Sequence, residues 1–200
     1  MNDWTGNKKS AFTTIGATGH SETTRETNDF YATRPSDVMK FLGVYKEVPH
    51  KVWECSCGTG NISDVLLSLG HDVISTDLID RGYGQGGVDF LQTTEMPDGC
   101  DCIMTNPPYK YATDFVEHGL SLLPDNGKLI MLFKTTFLEG INRYNRIFSK
   151  TPPLWVYQYA CRAACALNNE FDKYSVRAVS YAWFIWVKGY YPQTCIKWIV

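Results

Sequence analysis

No run of apolar residues in this chain of 200 approaches the length of a membrane-spanning helix. The longest, YAWFIWV at 181–187, is far short of the roughly 20 residues a span requires. The opening MNDWTGNKKSAFTT has no apolar stretch of the signal-peptide kind, so a cytoplasmic location is expected. No C-x2-C pair occurs among the seven cysteines, at 55, 57, 100, 102, 161, 165 and 195. An odd count without a leader argues against a disulfide framework. The spacing disfavours a zinc site, so the thiols are expected as reduced, buried small hydrophobes and no metal is expected. Internal repeats and low-complexity segments are also missing.

Strong net charge is absent too, at −2, but the balance hides a division along the chain. Residues 50–127 hold three Lys/Arg against twelve Asp/Glu, and residues 128–200 hold ten against three. A chain divided in this way can offer an anionic partner one attractive surface without being basic overall.

What is present is an alternation of short elements. Residues 1–27 are rich in Thr, Ser, Gly and Asn without periodicity and read as a flexible arm ahead of a single domain at 28–200. Val38, Phe41, Leu42 and Tyr45 fall at helical spacing. The pattern then predicts strands at 51–56, 72–77, 101–105, 128–133, 154–159 and 179–187, and a short third strand before Asp89. Helices are predicted at 61–69, 111–123 and around 139–149. Strands alternating with helices imply an α/β fold, a doubly wound, mostly parallel sheet with helices on both faces. In such a sheet ligands bind beyond the carboxyl ends of the strands, where the strand order reverses.

Three predicted strand ends carry unusual residues. In ECSCGTGN, Gly58 and Gly60 stand between strand and helix, where a missing side chain lets a ligand approach the backbone and the helix N-terminus. A dinucleotide fingerprint would require a third glycine where Ser63 stands, which disfavours a dehydrogenase. Asp77 follows Gly60 by the interval at which an acidic residue accepts from ribose hydroxyls, although a helix N-cap would account for it alone. Asp89, with Phe90 beside it, is placed to accept from an exocyclic amine, or is an ordinary turn aspartate. Together these describe a pocket for an adenosine moiety. The third end is DCIMTNPPYK, where two prolines stop the strand and hold Asn106 at a rigid corner.

Glu54 to Gly60, then Asp77, Asp89 and NPPY, in this order, resemble the S-adenosylmethionine-dependent methyltransferases that modify exocyclic amino groups. TIGATGHSETTRETNDFYATRP (14–35) resembles the N-terminal segment of phage and prophage DNA N6-adenine methyltransferases, and SYAWFIWVKG (180–189) is similar to that family's last strand. The resemblance implies a Rossmann-like class I methyltransferase with a seven-stranded sheet whose last strand is antiparallel, and S-adenosylmethionine as cofactor. It puts Tyr31 and Thr33 near the cofactor carboxylate and Glu54, Cys55, Ser56, Cys57, Gly58 and Gly60 around the methionine and ribose. Asp77 would hold the ribose hydroxyls with Leu78 next to it, and Asp89 and Phe90 the adenine. Asn106 and the Pro107 carbonyl would bind the target amine, with Pro108 completing the corner and Tyr109 stacking on a flipped-out base; a core aromatic capping the next helix is the plainer reading of Tyr109.

DNA is the implied partner, and Arg143, Arg146, Lys150, Arg162, Lys173 and Arg177 are candidates for its phosphates. A solvated charged helix face is the alternative for them. Two departures stand out: Cys55 replaces a proline common in the family, and a separate target-recognition domain is not expected. An RNA base, a protein glutamine amide, cytosine N4 and a catalytically silent binding module remain as alternatives.

Overall fold

The computed structural model describes residues 31–167, 171 and 179–200. The expected arm at 1–27, Lys173 and Arg177 lie outside them. Among the described residues nine strands occur: β1 Tyr31–Thr33, β2 Lys51–Glu54, β3 Asp72–Ser75, β4 Cys102–Thr105, β5 Lys128–Lys134, β6 Trp155–Tyr159, β7 Cys165–Leu167, β8 Tyr181–Val187 and β9 Cys195–Ile199. The helices are α1 Pro35–Val44, α2 Asn61–Ser68, α3 Ala112–Leu122 and a short α4 Ile141–Arg143, which widens into a π turn over Tyr144–Phe148. Seven strands form one sheet in the order β3-β2-β4-β5-β8-β6-β9, and β1 pairs with β7 separately. No helix among the described residues is long and apolar enough to cross a membrane.

Both faces of the sheet are covered, because the buried strands are apolar on both sides. On one face α1 (Val38, Phe41, Leu42) and α2 (Ile62, Val65, Leu66) pack on Val52, Met104, Ile130, Leu132 and Trp183. On the other, α3 (Phe115, Val116, Leu120) packs on Ile103, Leu129, Met131, Phe184 and Trp186. The alternation along β5 therefore feeds two cores. Trp183 stacks on Phe41 with centroids 4.8 Å apart, and its indole nitrogen donates to the Tyr159 hydroxyl, which itself donates to the Asp37 carbonyl. The aromatic run at 181–187 is thus an interior strand of the sheet, beside the central β5.

Strands β3, β2, β4 and β5 are mutually parallel. The antiparallel strand expected at 179–187 is β8, paired with β5 and β6. Strand β6 ends at the sheet's carboxyl edge, and the chain stays there to pair β7 with β1. Strand β8 starts at that edge and runs back, antiparallel to β5 and β6. Strand β9, which the pattern did not foretell, then returns parallel to β6.

The third strand expected before Asp89 does not form. A single bridge, Thr76 to Gln85, stands in its place, because Gly82, Gly84 and Gly87 adopt left-handed φ values of 79°, 62° and 75° that break an extended ladder. Cysteine burial also differs in part from expectation: four thiols are buried, but Cys161 and Cys195 are exposed and Cys165 is half-buried.

Candidate active site

The strand order reverses between β2 and β4, since β3 lies to one side of β2 and β4 to the other. The Ser56 hydroxyl spans that crevice. It lies 2.6 Å from Thr105 Oγ1 and donates at 3.4 Å to the Asn106 carbonyl, coupling the glycine loop to the proline corner.

At the end of β2, Glu54 is buried. Its Oε2 accepts from the Ser63 amide at 2.8 Å and from the Ser63 hydroxyl, which also lies 2.6 Å from Ser75 Oγ. This joins β2, the first turn of α2 and the end of β3. Serine at 63, where a dinucleotide fold would have glycine, is what makes the joint. Burial pushes the Glu54 carboxyl up to about 8, against the opposing pull of the Ser63 bonds.

The folded chain thus keeps a proton that the unfolded chain loses near the ordinary 4.5. Stability is full below that value and falls as pH rises to about 8. The fall is on the order of 3–5 kcal/mol. In urea unfolding at pH 5 to 8, Glu54→Gln is expected to flatten it. A parallel decline in the variant would exclude Glu54 as its source.

The glycine loop is held from two sides. Gly58, at φ 57°, donates its amide to Asp77 Oδ2 at 2.8 Å, while Asp77 Oδ1 accepts from the Ile79 amide at 2.9 Å. The Cys57 amide donates to the Thr76 carbonyl at 3.0 Å. Gly60 has φ 85°, and a Cβ there would lie 2.3 Å from the ring of Tyr83. The close approach that Gly60 permits in this structure is thus made by a side chain of the glycine-rich loop. The Tyr83 hydroxyl donates to Asp64 Oδ1 at 2.7 Å, clamping the start of α2. Tyr83 was not singled out from the sequence; an aromatic between Gly82 and Gly84 is the signal that marks it.

The remaining loop positions divide. Cys55 and Cys57 are buried thiols raised by desolvation, whereas Leu78 is exposed. Asp89 Oδ1 accepts from the Leu91 amide at 3.0 Å and caps a 3-10 turn over Phe90–Gln92. The Phe90 ring is a core side chain, 2% exposed, packed on Trp53, Phe115 and His118.

At the corner after β4, the Asn106 amide nitrogen donates to the Tyr31 carbonyl at 2.8 Å. A carbonyl only accepts, so this bond sets which way the amide faces. Its oxygen, Asn106 Oδ1, is buried with no hydrogen-bond partner among the described residues. Strand β1, besides the prolines, holds the amide. Strand β1 is tied in turn to α2, because Asn61 Nδ2 donates to the Thr33 carbonyl at 3.0 Å.

Tyr109 is half-buried, as the plainer reading of it expected. Its hydroxyl points to Cys165 Sγ at 3.9 Å, and burial raises its pKa well above the usual value. Its ring lies 6.2 Å from that of Tyr181 and also lines a cavity of about 290 Å3 at the carboxyl ends of β4 and β5. A second cavity, of about 370 Å3, lies among Trp53, Thr76, Val88 and Met96.

The described candidates for phosphate contacts have different surroundings. Arg146 reaches Asp114 Oδ1 at 2.7 Å and Glu117 Oε1 at 3.0 Å, so α3 already neutralises it. Arg143 donates through Nη1 to the Thr136 and Phe137 carbonyls, both at 2.8 Å, and lines the cavity beside Tyr109. Lys150 and Arg162 are exposed. Lys110 and Lys134, not foreseen, line the same cavity as Arg143.

The sequence matches no model of a known protein family and no curated protein. The structure is similar to several solved ones. A Listeria monocytogenes protein described as a class I S-adenosylmethionine-dependent methyltransferase aligns at TM-score 0.54 and 13% identity, over 82% of this chain and 65% of that one. The magnesium protoporphyrin IX methyltransferase of Synechocystis PCC 6803, solved with S-adenosylmethionine bound, aligns at 0.52 and 16%, over 78% of each chain. A Pyrococcus horikoshii protein described as an RNA methyltransferase aligns at 0.55 and 13%, over 77% of this chain and 82% of that one.

The fold is the Rossmann-like fold of the class I methyltransferases. It carries such different substrates that a substrate has to be argued from the site.

Proposed function

We propose that the protein transfers the methyl group of S-adenosylmethionine to the exocyclic N6 amine of adenine in DNA, as the phage and prophage enzymes that it resembles do. The observation that carries this reading is Asn106 Oδ1, a buried acceptor without a partner among the described residues, at the carboxyl end of β4. A buried acceptor left unpaired costs about 1–3 kcal/mol, and a substrate N–H removes that penalty.

The donor set fits the cofactor. Each Asp77 oxygen accepts one backbone bond, and a carboxylate oxygen has room for two, so both retain a lone pair for ribose hydroxyls. Tyr31, Thr33, the Glu54–Gly60 loop, Leu78 and Asp89 would complete the cradle. When bound, S-adenosylmethionine supplies an electrophilic methyl on a sulfonium.

The chain's own part is positioning. An exocyclic amine is a poor nucleophile because its lone pair is delocalised into the ring. With Asn106 Oδ1 and the Pro107 carbonyl each accepting one N–H, the nitrogen is drawn toward tetrahedral geometry and its lone pair is freed. No strong base is required beforehand, and the surplus proton leaves to water afterwards. Such orientation is worth roughly 7–11 kcal/mol of barrier. A base in a duplex would be flipped out, with the exposed part of the Tyr109 ring to stack against.

The test is to offer the protein DNA, RNA and a glutamine-bearing protein with methyl-labelled S-adenosylmethionine and to digest each to its nucleosides or amino acids. Label in N6-methyl-2′-deoxyadenosine from the DNA is expected. Label in 4-methylcytosine, or only in RNA or protein, would overturn the assignment.

A further inference from the structure

Resting on the reading of this site as one for a nucleotide amine, we infer that the cavity beside Tyr109 receives a phosphodiester group of the polynucleotide, held by Lys110, Lys134 and Arg143. The cavity shares Tyr109 with the proline corner, so its occupant is a neighbour of the group presented to Asn106. Its described lining holds these three cations and no acidic residue. That is a local inversion of charge, for Lys110 belongs to a segment in which acids outnumber bases twelve to three.

The cations are arranged around aromatic surface. The Lys134 ammonium sits 5.3 Å above the Tyr109 ring, which places a positive charge beside the aromatic surface that the target nucleotide would approach. Arg143 is fixed by its two carbonyl bonds through Nη1 and by stacking on Phe137 at 5.3 Å. Nη2 and Nε of its planar fork remain to meet phosphate oxygens. A volume of about 290 Å3 is at or below the lower limit of small-molecule pockets, roughly 300–1,000 Å3. It suits a phosphate and its sugar, set against Phe133 and Phe137, better than a second whole ligand.

Binding tests this without requiring turnover. A labelled single-stranded oligonucleotide with one adenine is titrated by fluorescence anisotropy over a range of salt, alongside a version in which the phosphate flanking that adenine is a neutral methylphosphonate. Neutralising the phosphate is expected to weaken wild-type binding about tenfold. Lys134→Gln should weaken binding of the normal oligonucleotide by about as much and show no further loss with the neutral one. Each of Lys134→Gln and Lys110→Gln should lower the slope of log affinity on log salt by about 0.7. Lys110 is exposed, which keeps its variant informative if Lys134→Gln folds poorly.

Independent losses, unchanged slopes, or no oligonucleotide binding by the wild type would overturn the subsite. So would an acidic, glutamine-bearing peptide whose binding depends on Lys134 while the oligonucleotide's does not. An RNA version with the same coupling supports the phosphodiester and bears only on the choice of DNA. Coupled binding without any labelled adenine defeats the methylation reading and leaves the subsite standing.

Discussion

Asn106→Ala is expected to lower turnover by a factor of about 10²–10³, the usual effect of deleting one preorganised partner of a reacting group, while S-adenosylmethionine binding changes by less than about twofold. The separation follows from geometry. The Asn106 amide nitrogen is engaged by the Tyr31 carbonyl, and its oxygen is left over, buried and unpaired among the described residues. Alanine removes the acceptor for the amine and frees one backbone carbonyl. Labelled methyl transfer gives kcat, and calorimetry gives the cofactor affinity. Unchanged kcat would refute the role given to the amide oxygen. Asn106→Asp is a sharper variant: the carboxylate keeps an acceptor but loses the donor, setting two oxygens against each other where Nδ2 met the carbonyl. It should be nearly as slow at neutral pH and recover part of its rate as acid protonates it.

Gly60→Ala should destabilise the fold by about 2–4 kcal/mol and weaken cofactor binding at least about tenfold. Two terms contribute. At φ 85° an L side chain costs roughly 1–2 kcal/mol. The added Cβ would also overlap the Tyr83 ring, forcing it from Gly60 and straining its bond to Asp64. The backbone term survives any change at 83, whereas the overlap does not. Tyr83→Ala on its own loses the clamp on α2; combined with Gly60→Ala it should give a loss smaller than the sum by about 1 kcal/mol or more. Urea unfolding of the four proteins in the cycle measures this. Strict additivity would show that Tyr83 is not what Gly60 makes room for.

These predictions fall on contacts of different range, and the same distinction separates what could be read early from what could not. The strands ending at Glu54, near Asp77 and at Asn106 were legible because apolar runs, glycine stops and a Pro-Pro break are local signals. Asp89 failed as the end of a strand because three glycines before it prefer left-handed backbone, a preference visible in composition but outweighed by the expectation of a regular alternation. Strand β9 was missed because only Ile199 along it is buried, so it lacks the core-facing alternation that announces a strand. The pairing of Arg146 with Asp114 and Glu117 was not legible because it depends on how the π turn packs beside α3.

Local pattern therefore decides the α/β alternation, the covered sheet and the order of acidic, glycine and NPPY strand ends, since each depends on residues within a few positions of one another. Tertiary contact decides the working details of the site. Asn106 meets the Tyr31 carbonyl from 75 positions away, Gly60 meets Tyr83 across the edge of the sheet, and Lys110, Lys134 and Arg143 meet around one cavity. Such meetings depend on how strands are ordered and where loops close, which no spacing of neighbouring residues encodes.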